Sequence, residues 1–131
     1  MNIIACPVAF HPDGVTRRIA VYRHPENGPQ LITTSASTPV AATNAAAQAL
    51  YTMSALETRA ALPIGTSQDI NADELWHFAL CRIVPPVREE WKNLCPTSAT
   101  LLHFSWMPLD TPLNDFSEPD TRALDWIKAT L

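Results

Sequence analysis

Four histidines, three cysteines and a scatter of carboxylates are the side chains here that could carry chemistry. His77 and Cys81 stand four apart in the apolar run ELWHFALCRIV, so period-two alternation puts both on one strand face, and His103 sits in a second such run. Three ligands of this kind could surround a zinc ion, but no close pair such as CxxC or HxxxH is present, which favours ordinary core and turn residues. A cysteine nucleophile is no better supported. Cys95 precedes Pro96 in an expected loop, Cys6 lies in an expected strand, and nothing marks an activating partner. The three cysteines have no framework spacing and read as thiols in a reducing compartment. The three glycines form no loop that could cradle phosphate.

Among the carboxylates, Glu57, Asp69, Asp73 and Glu74 are the ones to weigh as metal ligands. Octahedral Mg²⁺ needs several convergent oxygens, however, and these residues fall on different elements, so solvated loop charge is the plainer reading. Aromatic residues gather in the second half: Trp76, Phe78, Trp91, Phe104, Trp106 and Trp126. Phe78, Phe104 and Trp126 suit a core. Trp76, Trp91 and Trp106 are the candidates for ligand stacking or an interface. Trp91, expected in a polar loop after Glu89-Glu90, is the strongest of them, because exposed tryptophan is costly and enriched at interfaces.

The elements that must position these groups are short. Twelve prolines fall mostly between apolar runs and end them. IIACPVAF predicts a first strand broken at Pro7, HPDG a turn, TRRIAVYRH a strand, PENGP a turn and QLIT a short strand leading into a Ser/Thr loop. Thr38-Pro39 suits a helix start, after which Ala42, Ala45, Ala46, Ala49, Leu50, Met53 and Leu56 recur at helical spacing. RAALPIGT predicts a strand ended by Gly65, followed by ELWHFALCRIV and ATLLHFSWMPL. SEPDTRALDWIKATL opens with a capping Ser117 and carries Leu124, Ile127 and Leu131 on one stripe, a closing helix. Strands, helix, strands and helix in that order predict an α/β fold, a mixed sheet with helices on two faces.

At 131 residues the chain has the length of a single domain, 1–131, able to bury its own core. Its net charge is −4 and only 17 % of its residues are charged, against about 25 % in typical domains. Its few cations are scattered, Arg17-Arg18 being the sole adjacent pair, which argues against nucleic-acid binding. No apolar run reaches the ~20 residues of a membrane span. MNIIACPVAF lacks a basic leader and runs straight into the first strand, so a cytoplasmic location is expected.

The alanine-rich helix is the anomaly, because residues 27–56 contain no Asp, Glu, Lys or Arg. Helices on protein surfaces ordinarily carry charge on the wet face. The layout of the chain resembles the Nudix hydrolase family. VYRHPENGPQL is similar to the strand and turn before that family's signature loop, and PIGTSQDINADELWHFALCRIV to the strand pair after its helix. EEWKNL followed by LLHFSWMPLD is similar to a tail common in one branch of the family, where a late strand carries Trp and Pro-Leu, and TRALDWI resembles the closing helix. The signature G-x5-E-x7-R-E-U-x-E-E-x-G-U, with U aliphatic, lies without gaps on residues 34–56. Its aliphatic positions then fall on Leu50 and Leu56. Its opening Gly falls on Thr34, its first Glu on Val40, Arg-Glu on Gln48-Ala49, Glu-Glu on Thr52-Met53, and the closing Gly on Ala55.

The resemblance implies a Nudix-type α/β/α sandwich with a mixed sheet. In that family the helix glutamates hold Mg²⁺ or Mn²⁺ against a diphosphate, and neither Val40, Ala49, Thr52 nor Met53 offers an anionic oxygen. The reading that follows is a catalytically degenerate Nudix-fold protein: no catalytic residues, no metal, and a binding or regulatory role toward a nucleotide-type ligand, a homodimer partner or another protein, with no nucleic acid and no membrane. The rival reading is an active hydrolase of a nucleoside diphosphate-linked compound, using Mg²⁺ or Mn²⁺ on relocated carboxylates Glu57, Asp73 and Glu74.

Overall fold

The computed structural model describes residues 1–15 and 17–131. Ten elements follow in chain order: β1 (Asn2–Ala9), β2 (Arg18–His24), β3 (Gly28–Gln30), β4 (Thr34–Ala36), α1 (Ala42–Ser54), β5 (Thr58–Ser67), β6 (Glu74–Ile83), β7 (Glu90–Leu94), β8 (Leu101–Pro108) and α2 (Glu118–Thr130). They form two four-stranded sheets rather than the one anticipated. The first is mixed, in the order β4-β1-β6-β5, with β1 parallel to β6, and the second is antiparallel, in the order β3-β2-β8-β7.

Alternation along the central strands divides the interior in two. Cys6 and Val8 of β1, with Trp76 and Phe78 of β6, pack beneath Ala123, Leu124 and Ile127 of α2. Ala5 of β1 and Ala79 of β6 point the other way, against Ala42 and Ala46 of α1. Further along the same side, Leu50 and Leu56 meet Cys81, Leu102, Phe104 and Trp106. Each helix thus covers one side of the strands, giving the α/β/α arrangement. The alanines of α1 have a packing role, since small side chains let the helix lie close on Ala5 and Ala79.

Several local expectations need correction. Pro7 does not break β1, which pairs with β6 along its whole length, whereas the register with β4 ends at Ala5. Proline is tolerated where one side of a strand lacks a partner. QLIT is not a strand: Gln30 closes β3, and residues 31–33 bridge to β4 inside the expected Ser/Thr loop. The Leu31 N–H, lacking a ladder partner, donates instead to the Asp120 carboxylate at 3.1 Å. Thr38 Oγ1 accepts from the Ala41 N–H at 3.2 Å as a capping hydroxyl would, yet regular helix begins only at Ala42. Gly65 does not end β5. It sits at a bulge with φ 152°, and a Cβ there would lie 2.8 Å from the Trp126 ring. Ser117 caps α2 as expected, accepting from the Asp120 N–H at 3.4 Å.

Candidate functional site

The uncharged, alanine-rich helix is α1. Ala42, Ala46, Leu50 and Ser54 form its buried stripe. Ala55 follows in the left-handed conformation, φ 64°, and Leu56 turns back into the core. Ser54 shapes this ending, its hydroxyl donating to the Leu50 carbonyl at 2.5 Å and accepting from the Leu56 N–H at 3.2 Å. Val40 is 93 % exposed, Gln48 and Thr52 are exposed, and Ala49 and Met53 are half-buried. No acidic residue lies in the first turn and no basic one in the last.

The end of α1 is tied to β7. The Trp91 indole N–H donates to the Ser54 carbonyl at 2.8 Å, and Asn93 Nδ2 donates to the Met53 carbonyl at 2.7 Å. These are carbonyls that a helix end leaves without an internal partner. Trp91 therefore lies in a strand rather than the polar loop anticipated, because alternation in EWKNL turns it and Asn93 inward. Its ring stacks on Phe104, centroids 5.4 Å apart, and tilts against Trp106 at 5.6 Å.

The other two tryptophans belong to the interior. Trp76 is 4 % exposed under α2, its indole N–H donating to Glu74 Oε1 at 3.0 Å. Trp106 is 6 % exposed and donates to the Arg88 carbonyl at 2.8 Å. Neither stands open to a ligand as a stacking platform.

The carboxylates of the rival reading do not converge. Glu57 precedes Thr58, which pairs with Ile83 at the end of β6, whereas Asp73 and Glu74 stand at its start. A ten-residue strand separates them, roughly 30 Å. Asp69 lies exposed in the β5–β6 connection, near Asp73 and far from Glu57. His77 and Cys81 are on β6 of the mixed sheet and His103 is exposed on β8 of the other, so the zinc set does not assemble. Among the described residues no three His, Cys, Asp or Glu side chains gather where a metal could be held. Cys6 and Cys81 are buried, and burial pushes both thiols up, Cys81 to about 11. Cys95 differs: hydrogen bonding, first from Thr97, draws its thiol down to about 7.

Two features were hidden from sequence reasoning. One is a polar cluster joining the HPDG turn to the segment before β7. Arg18 donates to Glu89 at 2.6 Å and to Asp13 at 3.2 Å, and His11 Nε2 lies 2.8 Å from Glu89 Oε2. The Asp13 N–H donates to His11 Nδ1 at 3.1 Å, so Nε2 carries the ring hydrogen toward Glu89. The Arg18 guanidinium, then the His11 ring, hold the Glu89 carboxyl below its ordinary range. The other is a concave outer face on the antiparallel sheet. One groove there, about 410 Å³, has Tyr22, Arg23, Pro29, Asp115 and Phe116 among its walls, and a second of about 420 Å³ adjoins it. A cleft of about 390 Å³ opens beyond the end of α1, lined by Glu57, Arg88, Trp91 and Lys92 among others and not by Ala49, Thr52 or Met53.

This arrangement of sheets and helices is shared with solved structures. The chain superposes on MutT, described for Aliivibrio salmonicida and Vibrio cholerae, with TM-score 0.69 at 10 % identity, covering 99 % of this chain and 98 % of that one. An ADP-ribose pyrophosphatase from Streptococcus suis 89-1591 gives 0.64 at 14 % identity, with 99 % and 92 % covered. The NUDIX domain of Shewanella oneidensis NrtR, complexed with ADP ribose, gives 0.64 at 8 % identity, with 97 % and 86 % covered. The fold is that of the Nudix proteins. No family model matches the sequence, and no curated protein sequence does.

The register expected on residues 34–56 ends where α1 ends. The closing glycine of the signature falls on Ala55, the residue in the left-handed conformation that glycine adopts most readily. Both aliphatic positions, Leu50 and Leu56, are buried. On that register the side chains facing the family's metal site would be Val40, Ala49, Thr52 and Met53. Their donor set of methyls, a hydroxyl and a thioether does not fit a hard divalent cation, which takes charged or carbonyl oxygens. These residues support no hydrolytic step through a metal on this helix.

Proposed function

We propose that this protein binds a nucleotide-type ligand on a Nudix fold without metal-dependent hydrolysis of the ligand's diphosphate. The observation that carries the reading is the ending of α1. Its left-handed Ala55 and buried Leu50 and Leu56 support the signature register, and in that register uncharged residues stand where carboxylates would be needed. The ADP ribose held by the NrtR domain supports the ligand class.

The experiment is calorimetric titration of the protein with ADP-ribose in EDTA and again in Mg²⁺. The reading expects saturable binding in EDTA that Mg²⁺ changes less than about threefold, a difference of well under 1 kcal/mol. Binding seen only with Mg²⁺ would refute it. As the alternative stands, an active site on Glu57, Asp73 and Glu74 would need carboxylates that the strand length holds apart. A further role for the uncharged face of α1, where Tyr51 is 56 % exposed, as a contact for a second copy or another protein, is a proposal of the same kind.

A further inference from the structure

The register of the antiparallel sheet puts three basic residues in one line. Arg23 of β2 is paired with His103 of β8, and His103 with Lys92 of β7. Residues directly opposed on antiparallel strands project from the same face with Cβ atoms about 5 Å apart. All three are exposed, and all three line the groove of about 420 Å³ together with Glu90 and Ser105.

Arg23 and Lys92 carry positive charge on either side of His103, one strand away in each direction. Among the described residues Arg23 and Lys92 form no ion pair, as holds for most Lys and Arg of this chain, so both charged heads stand open to solvent. Glu90, the one carboxylate in the groove, is paired with Ser105 two positions along β7 from Lys92. On its inner side the same strand is fixed by Trp91 and Asn93 to α1, and just ahead of it Glu89 is fixed by Arg18 and His11.

We infer that the row Arg23–His103–Lys92 is an anion site that takes the diphosphate of the bound ligand. Arg23 offers a planar fork for two phosphate oxygens, Lys92 a point charge, and Ser105 a hydroxyl donor. The adjoining groove shares Arg23, Glu90 and Ser105 with this one, and would take the nucleoside end beside Phe116. In this account side-chain cations neutralise the phosphates, a task that elsewhere falls to a divalent ion. The inference rests on the reading that the ligand is nucleotide-like, and the test separates the two.

Isothermal titration in EDTA is made with two probes, ADP-ribose and inorganic pyrophosphate. The proteins are wild type, an Arg23→Gln/Lys92→Gln double variant, an Arg23→Lys/Lys92→Arg double variant that keeps the charge, and a control altered at exposed cations elsewhere, Arg59→Gln/Arg82→Gln. The inference expects wild type and control to bind both probes alike. The neutral variant should weaken both by about tenfold per cation removed, and the charge-retaining variant should recover most of the loss. Because the altered side chains are exposed, the thermal midpoint should not move, and the charge-retaining variant settles the matter if it does. ADP-ribose binding equally tight in the neutral variant overturns the anion row and leaves the nucleotide reading standing. Pyrophosphate binding lost in that variant, with no ADP-ribose binding to wild type, sustains the row and removes the nucleotide reading. Failure of wild type to bind either probe overturns both.

Discussion

The indole N–H of Trp91 meets the carbonyl of Ser54 at 2.8 Å, so the last turn of α1 is closed by a strand of the opposite sheet. Asn93 does the same for Met53, two residues along the same strand face. The two contacts join the uncharged helix α1 to the strand whose outer side carries Lys92, so the rear of the proposed ligand face is a packed and hydrogen-bonded wall. Trp91→Phe should keep the stack on Phe104 and lose only the hydrogen bond, costing about 1 kcal/mol in urea unfolding. Trp91→Ala should cost about 3 kcal/mol. Amide exchange in the last turn of α1 should quicken in both. Equal stability of wild type and Trp91→Ala would remove this tie from the account.

Asp120 supplies a prediction with a sign. Burial raises its carboxyl above the ordinary range, and the Leu31 N–H pulls the other way. The folded protein therefore holds this proton more tightly than the unfolded chain, and this one group adds stability as the pH falls through its folded pKa. Asp120→Asn keeps an acceptor for Leu31 and should abolish that component, leaving neutral-pH stability the same or slightly higher. Asp120→Ala should cost about 1–3 kcal/mol, since the Leu31 N–H is left unsatisfied. Urea midpoints at pH 5 and pH 7.5 distinguish the three proteins.

Gly65 is expected to tolerate nothing larger. Its φ of 152° is rarely taken by other residues, and Trp126, stacked on Phe78 at 4.0 Å, occupies the space a methyl would need. Gly65→Ala should lower stability by about 1–3 kcal/mol, and shift the tryptophan emission as Trp126 gives way. An unchanged melting curve would contradict the packing described.

The three thiols should respond differently to iodoacetamide. Cys95, with its thiol near 7, should alkylate in the native protein at a rate that rises with a midpoint about pH 7 and flattens above it. Cys6 and Cys81 are buried and raised, and should react only on unfolding. A Cys95 midpoint near 9 in peptide mass mapping would show that the Thr97 hydroxyl does not stabilise the thiolate as the geometry indicates.

What the sequence disclosed and what it withheld follow one physical division. Both helices were legible because their periodicity is local: Ala42, Ala46 and Leu50 repeat every four residues, and Ser117 announces its own cap. The long strands β6 and β8 were legible as apolar runs. Trp91 was misplaced because EEWKNL reads as polar until Phe104 and Ser54 are brought to its inner side. QLIT failed because Leu31 and Ile32 are buried without belonging to a strand, one of them satisfied by a carboxylate 89 residues away. The line from Arg23 to His103 to Lys92 exists only in strand register, and no spacing along the chain encodes it. The absence of charge from residues 27–56, by contrast, is complete in the sequence.

The most direct test is turnover. The protein would be incubated with pooled nucleoside triphosphates, dinucleotides, nucleotide sugars and capped nucleotides, first with Mg²⁺ and then with Mn²⁺, and products read by mass spectrometry. The account predicts no product above a protein-free control, with ADP-ribose recovered intact from the bound fraction. Metal-dependent product that survives repurification and disappears in Glu57→Gln or Glu74→Gln would show a rebuilt active site and contradict it.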